Sequence, residues 1–461
     1  MSETFDAIVI GTGQSGPALA ARLSGAGMKV AVVERKRFGG TCVNNGCIPT
    51  KALVASARAA YMARRGGDFG VMIGGDIAVD MAKVKARKDA IVARSTQGVE
   101  GWMKGLENAT VYEGHGAFEG PRAVRVGDTT LEAGKIFINV GARASTPPIP
   151  GIETVPYLNN SSMMEVDFLP EHLLVLGGSY IGLEFGQMFR RFGAEVTIIN
   201  RGPRLISRED ADVSEAVREI LENEGIRVLT DTGDWRIEKR GDGLACLMTC
   251  GGAATEAAGS HLLVATGREP NTHDLGLEAA GVSLDARGFI EVDDQLRTNV
   301  EGIWAIGDCN GRGAFTHTSY NDHEIVAANL LDDDPRRVSD RITTYGLFID
   351  PPLGRVGMTE REVRASGRKA LIGRRPMSRV GRAVERSETQ GFMKVLVDAE
   401  TKQILGASLL GIGCDEIVHS LLDMMYAKAP YTVIQRAMHI HPTVTELIPT
   451  MLGELEPLDD A

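Results

Sequence analysis

Two separate segments of the 461-residue sequence repeat one pattern: an apolar strand, a glycine-rich turn, a helix and a second apolar strand. This repetition constrains the fold more than any other feature. One copy begins at Ala7 and the other begins at Leu173. Such units build doubly wound parallel sheets, in which the glycine-rich turn approaches the phosphates of a nucleotide. The sequence therefore predicts an α/β protein with two Rossmann-like dinucleotide-binding domains.

The first copy carries a complete dinucleotide fingerprint. Its strand, residues 7–10, leads into the turn GTGQSG, and a second strand, residues 30–34, ends in an acid. The glycines allow a tight turn whose backbone N–H groups can approach a pyrophosphate, and the acid can accept hydrogen bonds from a ribose. We interpret this unit as a dinucleotide site rather than a plain structural turn. Its cofactor-binding residues are Gly11, Gly13, Gly16 and Glu34.

The second copy departs from that fingerprint at two positions. Ser179 replaces the second glycine of the turn that begins at Gly177, and Asn200 stands where an acid would bind a free 2′-hydroxyl group. Arg201 follows at once, and Arg204 is three residues further on. Because a 2′-phosphate needs cationic donors and is repelled by a carboxylate, this pattern favours NADPH over NADH. The alternative is that the arginines belong to an exposed basic turn.

The segment GGTCVNNGCIPTK, residues 39–51, lies between the two copies and contains Cys42 and Cys47. These cysteines can form a disulfide, and the N-terminus of a helix would lower the pKa of a thiolate there. At this segment the chain resembles the pyridine nucleotide-disulfide oxidoreductases, the family of dihydrolipoamide dehydrogenase, glutathione reductase and mercuric reductase. Further family motifs follow in order at residues 140–142, 265–268, 298–308 and 441–446, so the resemblance spans essentially the whole chain.

The resemblance implies a path for electrons from a nicotinamide through FAD to the cysteine pair. It implies that the Cys47 thiolate lies against the flavin and that Cys42 is the outer sulfur that attacks the substrate. Lys51 and Glu184 match the family's ion pair beneath the flavin, where a cation would stabilise the reduced ring. Asp308 matches the residue that binds the ribityl hydroxyl groups, with a plain strand and turn as the alternative.

Tyr180 matches an aromatic lid that covers the flavin in some family members until the nicotinamide displaces it. Ordinary packing at the start of a helix is an equally weighted alternative, since a tyrosine suits both roles. The other cofactor-binding positions lie beside these motifs. They are Gly40, Thr41, Gly116, Gly141, Ile181, Gly267 and Gly307.

The segment HPTVTE, residues 441–446, resembles the family's acid-base motif. A histidine titrates near neutrality and can protonate a leaving thiolate, while a carboxylate fixes its tautomer. We expect His441 to be the acid-base residue and Glu446 to orient it, with a structural histidine as the alternative. In this family the segment enters the active site of the partner subunit, so the resemblance implies a homodimer.

The domain boundaries follow from the motifs and from a proline-rich linker at residues 147–151. Residues 1–151 form the first FAD-binding segment and residues 152–270 form the inserted NAD(P)H-binding domain. The FAD-binding or central domain resumes over residues 271–338. A final α/β dimerisation domain covers residues 340–461.

Composition excludes several classes of partner. The net charge is −11 and no long basic run occurs, which argues against nucleic acid. The start lacks the features of a signal peptide, and no apolar run approaches the roughly 18 residues of a membrane span, so we expect a cytoplasmic protein without a membrane partner. Cys246 and Cys250 have no second pair for zinc, and we expect no metal site.

The electron acceptor is the least constrained feature. Gln14 and Ala21 replace the serine and arginine typical of glutathione reductases, Asn200 disfavours dihydrolipoamide dehydrogenase, and residues 453–461 lack the cysteine pair of mercuric reductases. We expect a mercuric-reductase-like enzyme that reduces a small-molecule or small-protein disulfide, a metal ion or a quinone. The alternatives are dihydrolipoamide dehydrogenase or glutathione reductase activity, or a redox-sensing flavoprotein with little turnover.

Overall fold

The first copy of the repeated pattern forms the centre of a seven-stranded sheet in the computed structural model, which describes residues 1–458. Its strand order is β3-β2-β1-β6-β5-β4, and β1 to β3 and β6 run parallel to one another. The elements are β1 (Ser2–Ile10), α1 (Ser15–Gly25), β2 (Val30–Glu34), α2 (Gly40–Asn44), α3 (Cys47–Arg64), α4 (Met81–Lys104), β3 (Ala109–Glu113), β4 (Gly116–Gly120), β5 (Ala123–Val126), β6 (Thr129–Ile138) and β7 (Ala142–Ala144).

The turn between β1 and α1 requires glycine at two of its positions. Gly11 has φ +102°, and a Cβ atom there would lie 2.3 Å from the Asn139 carbonyl oxygen. A Cβ on Gly16 would lie 2.2 Å from the Gly11 carbonyl oxygen. The start of α2 also approaches this turn, since a Cβ on Gly40 would lie 2.8 Å from the Gly13 Cα. The backbone of the turn therefore faces a second glycine-rich segment at close range.

The second copy forms a separate four-stranded parallel sheet, with the order β10-β9-β8-β14. A three-stranded antiparallel sheet, β11-β12-β13, is inserted in the chain between β10 and β14, and β15 pairs with β7. Both predicted Rossmann-like units are thus confirmed. The elements are β8 (His172–Leu176), α5 (Tyr180–Phe192), β9 (Glu195–Ile199), α6 (Ala211–Asn223), β10 (Arg227–Leu229), β11 (Thr232–Arg240), β12 (Gly243–Cys250), β13 (Ala253–Gly259), β14 (His261–Val264) and β15 (Arg268–Pro270).

The chain then returns to the first sheet. It forms α7 (Leu277–Ala280), β16 (Ile303–Ala305) and α8 (Thr316–Leu331), and β16 pairs in parallel with β6. Helix α8 packs against α1, where the Ser15 and Ser319 hydroxyl groups lie 2.8 Å apart. This return places the start of α8 beside the glycine-rich turn of the first unit.

The last part of the chain forms a six-stranded antiparallel sheet, in the order β17-β18-β21-β20-β19-β22, with α11 packed on β18 and β21. The predicted third α/β domain is confirmed, although residues 459–461 of its predicted range lie outside the described residues. The elements are β17 (Thr344–Leu347), β18 (Leu353–Gly357), α9 (Glu360–Ala365), β19 (Ala370–Pro376), α10 (Gly381–Glu385), β20 (Phe392–Asp398), β21 (Ile404–Leu410), α11 (Cys414–Tyr426), α12 (Thr432–Gln435), α13 (Leu447–Gly453) and β22 (Glu456–Pro457).

Short 3-10 helices connect several of these elements. They are Gly66–Phe69, Ile152–Thr154, Ser162–Glu165, Gly307–Asn310, Val338–Asp340 and Met377–Arg379. Across residues 1–458, no helix has both the length and the apolar character that crossing a membrane requires.

Candidate active site

A cavity of about 1110 Å³ opens where the first sheet, α5, α8 and the C-terminal domain meet. Its walls include the glycine-rich turn after β1, the starts of α3 and α8, and one face of α11. Typical small-molecule pockets measure roughly 300–1,000 Å³, so this large cavity has room for a ligand of dinucleotide size.

The glycine-rich end of the large cavity carries an oriented carboxylate. Glu34 accepts hydrogen bonds at Oε2 from the Thr12 backbone N–H at 3.0 Å and at Oε1 from the Lys36 N–H at 2.8 Å. Of the predicted cofactor residues, this part of the wall holds Gly11, Gly13, Glu34, Gly40, Thr41, Gly116 and Gly141. Gly16 is not in the wall and acts by allowing the close approach of α1 to Gly11.

Asp308 enters the same cavity from the short helix after β16. Burial raises the pKa of its carboxyl group, and the charge of Arg268, whose Nη2 lies 3.3 Å away, opposes that shift. The preceding Gly307 has φ +73°, and its N–H donates to Asp322 at 2.7 Å. Gly267 also has positive φ, +151°, beside Arg268. Two glycines outside the wall therefore shape the turns that present Asp308 and Arg268.

The two motif cysteines lie at the junction of two helices. Cys42 belongs to α2, Cys47 is the first residue of α3, and both thiols are unbonded. A hydrogen bond with Cys42 lowers the pKa of Cys47 to about 6, and the Thr316 hydroxyl and the Lys51 charge act in the same direction against burial. The same shared hydrogen bond raises the pKa of Cys42. These opposite shifts favour ionisation of Cys47 over Cys42 in the reduced pair.

Thr316 supplies a contact that can be tested directly. Its Oγ1 lies 3.0 Å from the Cys47 Sγ at the start of α8. A hydrogen bond to a charged group is typically worth about 1.5–3 kcal/mol, so Thr316→Val should raise the Cys47 pKa by about one to two units. Thr316→Ser keeps the hydroxyl and should leave it within about half a unit. Mass spectrometry of iodoacetamide labelling against pH measures the shift, and equal profiles for the two variants would contradict the contact.

A lysine and a glutamate from distant segments meet in the same wall. Lys51 Nζ lies 2.7 Å from Glu184 Oε2, so the predicted ion pair is present. The other carboxylate oxygen, Oε1, accepts the Phe348 N–H at 3.0 Å, and the Phe348 ring lies 4.2 Å below Lys51 Nζ. Glu184 and the Phe348 ring thus both hold the Lys51 ammonium group, which places a positive charge beside Cys47.

Tyr180 and Ile181 begin α5 and both line the large cavity. The Tyr180 ring contacts two other aromatic rings edge-on, those of Phe315 at 5.8 Å and Tyr345 at 5.7 Å between centroids. Burial raises the Tyr180 pKa to about 12. Tyr180 therefore faces a cavity, as a lid would, and also packs against aromatic neighbours. Both roles predicted from the sequence are compatible with this position.

A small pocket of about 130 Å³ adjoins Tyr180 on its other side. Arg204 and Arg208 line it, whereas the Arg201 guanidinium stacks on the Trp235 ring, 4.6 Å from the centroid. The Asn200 side chain fixes the loop around the pocket: it accepts the Gly178 N–H at 3.1 Å and donates to the Arg204 carbonyl at 3.0 Å. Gly177 lies just outside, where a Cβ atom would approach the Ala265 carbonyl oxygen to 2.4 Å.

His441 and Glu446 lie together but outside the large cavity. His441 Nδ1 is 3.0 Å from both Glu446 carboxylate oxygens, and the histidine side chain is 81% exposed. Met438 and Ile440 beside it are also exposed, at 99% and 80%. Within one chain the pair does not reach the cysteines, and adjacent exposed apolar residues are typical of a surface that contacts another protein.

Sequence reasoning missed three residues of this site. Thr316, Tyr345 and Phe348 all line the large cavity, and each contacts one of the predicted residues. Thr316 begins a helix that follows the 298–308 motif, and this position could have marked it as a site residue. Tyr345 and Phe348 lie in and just after an ordinary apolar strand, and no local pattern marks them.

Comparison with known proteins gave consistent matches over the whole chain. Residues 5–322 match the family described as pyridine nucleotide-disulphide oxidoreductase, and residues 343–452 match its dimerisation domain. The chain is 35% identical to the probable pyridine nucleotide-disulfide oxidoreductase RclA of Escherichia coli over 450 residues, covering 96% of this chain and 97% of that protein. It is 34% identical to a dihydrolipoyl dehydrogenase of Thermus scotoductus, covering 96% of both chains.

A solved structure resembles the whole fold as well. It is described as the Cu(II) complex of the HOCl-induced flavoprotein disulfide reductase RclA from Escherichia coli. The TM-score is 0.89 at 34% sequence identity, and the match covers 97% of this chain and 100% of the other. Both the predicted fold class and the resemblance inferred from the cysteine segment are confirmed.

Proposed function

This chain belongs to the pyridine nucleotide-disulphide oxidoreductase family, whose enzymes use FAD and a pyridine nucleotide, and we propose that it is an NADPH-dependent reductase acting through Cys42 and Cys47. One observation carries the proposal. Cys47, whose pKa is lowered to about 6, is the first residue of α3 and lies in the wall of a dinucleotide-sized cavity, with its partner Cys42 beside it. A low-pKa thiolate paired with a second thiol is the arrangement that exchanges disulfides.

The large cavity fits FAD in its donor set as well as its size. Glu34 would hold the adenosine ribose, the turn from Gly11 to Gly16 would hold the pyrophosphate, and Asp308 would accept ribityl hydroxyl groups. The largely buried Asp308 carboxylate accepts a hydrogen bond from Arg268 at 3.3 Å and, facing the cavity, has room to accept further hydrogen bonds. Lys51, paired with Glu184, would face the isoalloxazine ring. When bound, FAD supplies a two-electron carrier between the nicotinamide and the cysteine pair.

The chain's own residues account for reduction of a disulfide substrate. His441 of the partner subunit takes the Cys42 thiol proton as the Cys42 sulfur attacks one substrate sulfur, and it returns that proton to the thiolate that departs when the substrate S–S bond breaks. Cys47 then attacks the Cys42 sulfur, which closes the Cys42–Cys47 disulfide and releases the second substrate thiolate. The substrate has then taken two electrons from the cysteine pair, and it leaves as one thiol and one thiolate, which takes its proton from solvent. Thr316 and Lys51 keep Cys47 ionised for the second attack.

A metal ion is a second acceptor class, which the Cu(II) complex of the solved relative supports. Oxidation of the dithiol to the disulfide releases two electrons and two protons, enough to reduce two Cu(II) ions to Cu(I). A quinone would take the same two electrons and two protons in one event. Neither reaction releases a thiol from the substrate, so neither needs an acid at the position of His441.

We also propose a division into four segments that agrees with the sheets. Residues 1–151 and 271–338 share the seven-stranded sheet through the pairing of β16 with β6, and residues 152–270 contain the parallel sheet of the second unit. Residues 340–461 would be the dimerisation domain. The separate family matches to residues 5–322 and 343–452 support the last boundary.

NADPH preference should depend on the arginines of the small pocket. Arg204 lines it, so Arg204→Ala should lower the ratio of kcat/KM for NADPH to that for NADH by about tenfold or more, the effect of losing a charge-assisted contact. Arg201→Ala removes the other arginine named from the sequence and shows how far its stacking on Trp235 supports the same contact. Equal use of both nucleotides by the unmodified protein would contradict NADPH as the donor.

The experiment that tests the function is a panel of acceptors under steady state. Oxidation of NADPH by the FAD-loaded protein is measured with glutathione disulfide, lipoamide, quinones, Cu(II) and Hg(II). We expect turnover with at least one acceptor that depends on both cysteines. Lipoamide or glutathione disulfide as the best acceptor would favour the two named enzyme alternatives, whereas flavin reduction without turnover on any acceptor would favour a redox sensor.

A further inference from the structure

One aromatic residue separates the two nucleotide-sized regions of the molecule. Tyr180 lines both the large cavity and the small pocket. Phe315 and Tyr345 stack on each other, and the Tyr180 ring contacts both of them edge-on, at interplanar angles of 90° and 83°. Its hydroxyl group is buried and has no hydrogen-bond partner of normal geometry among residues 1–458. The neighbouring rings therefore hold Tyr180, and whatever holds Tyr345 also affects the position of Tyr180.

Tyr345 is held by a buried carboxylate. Its hydroxyl donates to Glu209 Oε1 at 2.6 Å, and the Glu209 side chain is 0% exposed. Arg355 lies directly opposite Tyr345 in the β17–β18 pair, and its Nε is 3.5 Å from Glu209 Oε2. Within the described part of the chain, that oxygen makes no hydrogen bond. Burying a charge is costly unless it is paired, so the pairing with Tyr345 and Arg355 is what makes this position tenable.

The same glutamate ends the loop of the small pocket. Ser207 and Arg208 line that pocket and immediately precede Glu209. Asp210 after it is anchored to the C-terminal domain, where its carboxylate accepts the Glu360 N–H at 2.9 Å and the Lys394 ammonium at 2.9 Å. A movement of residues 207–208 would therefore displace Glu209, whereas the anchored Asp210 would stay in place.

The loop contains backbone strain near this junction. Ile206 has φ +38°, a left-handed conformation that is unfavourable for a β-branched residue. Its N–H donates to the Gly178 carbonyl at 2.8 Å, and its own carbonyl accepts the Glu209 N–H at 2.8 Å. The strained residue thus links the glycine-rich turn below Tyr180 to the glutamate beneath Tyr345. Relief of this strain favours rearrangement of the loop when a ligand supplies new contacts.

We propose that Glu209 is a positioning residue that acts through Tyr345 and couples occupation of the small pocket to displacement of the Tyr180 ring from the large cavity. The inference rests on the proposed function, since the small pocket must receive the adenosine part of the nucleotide. A ligand shifts an equilibrium only through different contacts in its two states. Those contacts are with Ser207 and Arg208. In the displaced state, the Tyr180 hydroxyl can add a hydrogen bond to Glu209 Oε2, beside the ion pair of that oxygen with Arg355, and this bond offsets the loss of ring packing.

The test uses nucleotide fragments that lack nicotinamide and so cannot push Tyr180 aside directly. Iodide quenching of flavin fluorescence in the FAD-loaded protein reports how open the large cavity is. Saturating 2′,5′-ADP, or ADP if the chain uses NADH, should raise the quenching constant of the unmodified protein by about twofold or more. Tyr345→Phe and Glu209→Gln should bind the fragment with Kd within about threefold of the unmodified protein, and its binding should no longer change the quenching.

The controls separate this inference from the proposed function. Tyr112→Phe removes the hydroxyl group of a tyrosine on β3 that lines neither pocket, and it should respond like the unmodified protein. Absent fragment binding, an unchanged quenching constant in the unmodified protein, or a normal response in Tyr345→Phe would each overturn the coupling. Tyr345→Phe keeps the ring, so it decides the matter if Glu209→Gln fails to fold. Failure of NADPH and NADH to reduce the flavin would instead count against the proposed function.

Discussion

Cys47→Ser should abolish the long-wavelength absorbance that we expect when NADPH reduces the FAD-loaded protein by two electrons without oxygen. The band requires a thiolate against oxidised flavin, and Cys47 is the cysteine whose pKa is lowered, to about 6. Reduction of any disulfide acceptor should fall by about 10³ or more, the loss typical of removing a nucleophile. Anaerobic titration and steady-state turnover measure the two effects.

Two further variants make this result specific. Cys42→Ser should keep a long-wavelength band, because Cys47 remains, but should lose disulfide turnover to the same extent. Cys250→Ser changes a half-buried cysteine of β12 and should leave both properties unchanged. A band that survives in Cys47→Ser and disappears in Cys42→Ser would reverse the two assignments.

The pH dependence of the band follows from the direction of the Cys47 shift. The lowered pKa, about 6, means that the thiolate is present above that pH and is lost as the pH falls through it. The band of the reduced protein should therefore weaken below about pH 6. A titration of the band in Thr316→Val should have its midpoint at higher pH, since the hydroxyl that favours the thiolate is gone.

Local patterns were sufficient to predict the two Rossmann-like units. Each needs an apolar strand, a turn that only glycine can make, and a helix, and all three are adjacent in the sequence. The predicted strand over residues 30–34 agrees with β2. The strand order of the C-terminal sheet could not be predicted, because antiparallel pairing depends on contacts between segments far apart in the chain.

The site was predicted to the extent that its residues belong to motifs. The cysteine segment is local, whereas the Lys51–Glu184 contact joins residues 133 positions apart and was expected only from the resemblance. Asn200 illustrates the remaining gap. The sequence indicates only that Asn200 replaces an acid, whereas in the structure its side chain also fixes the loop through Gly178 and Arg204. A loop contact of that kind leaves no periodic signal.

His441→Ala is the second substitution with a large expected effect. It should leave FAD binding and flavin reduction by NADPH unchanged, since those steps use residues of the large cavity. Reoxidation by a disulfide should slow by about 10² to 10⁴, the usual range for general acid-base catalysis. Glu446→Gln should slow it less, because both carboxylate oxygens now lie 3.0 Å from the imidazole and one acceptor would remain. Stopped-flow measurement of each half-reaction separates the effects.

Mixing two inactive homodimers tests whether His441 works across the subunit boundary. In a hybrid of Cys42→Ser with His441→Ala, the subunit that keeps Cys42 would receive His441 from its partner, so one of the two sites would be complete. Disulfide turnover should therefore reappear after the mixture is dissociated and reassembled. If His441 served its own chain, neither site would be complete and no activity would return.

Cu(II) and quinone reduction release no substrate thiol, so His441→Ala should barely affect these two reactions. A large loss of Cu(II) or quinone reduction would show that the histidine supports the dimer rather than proton transfer.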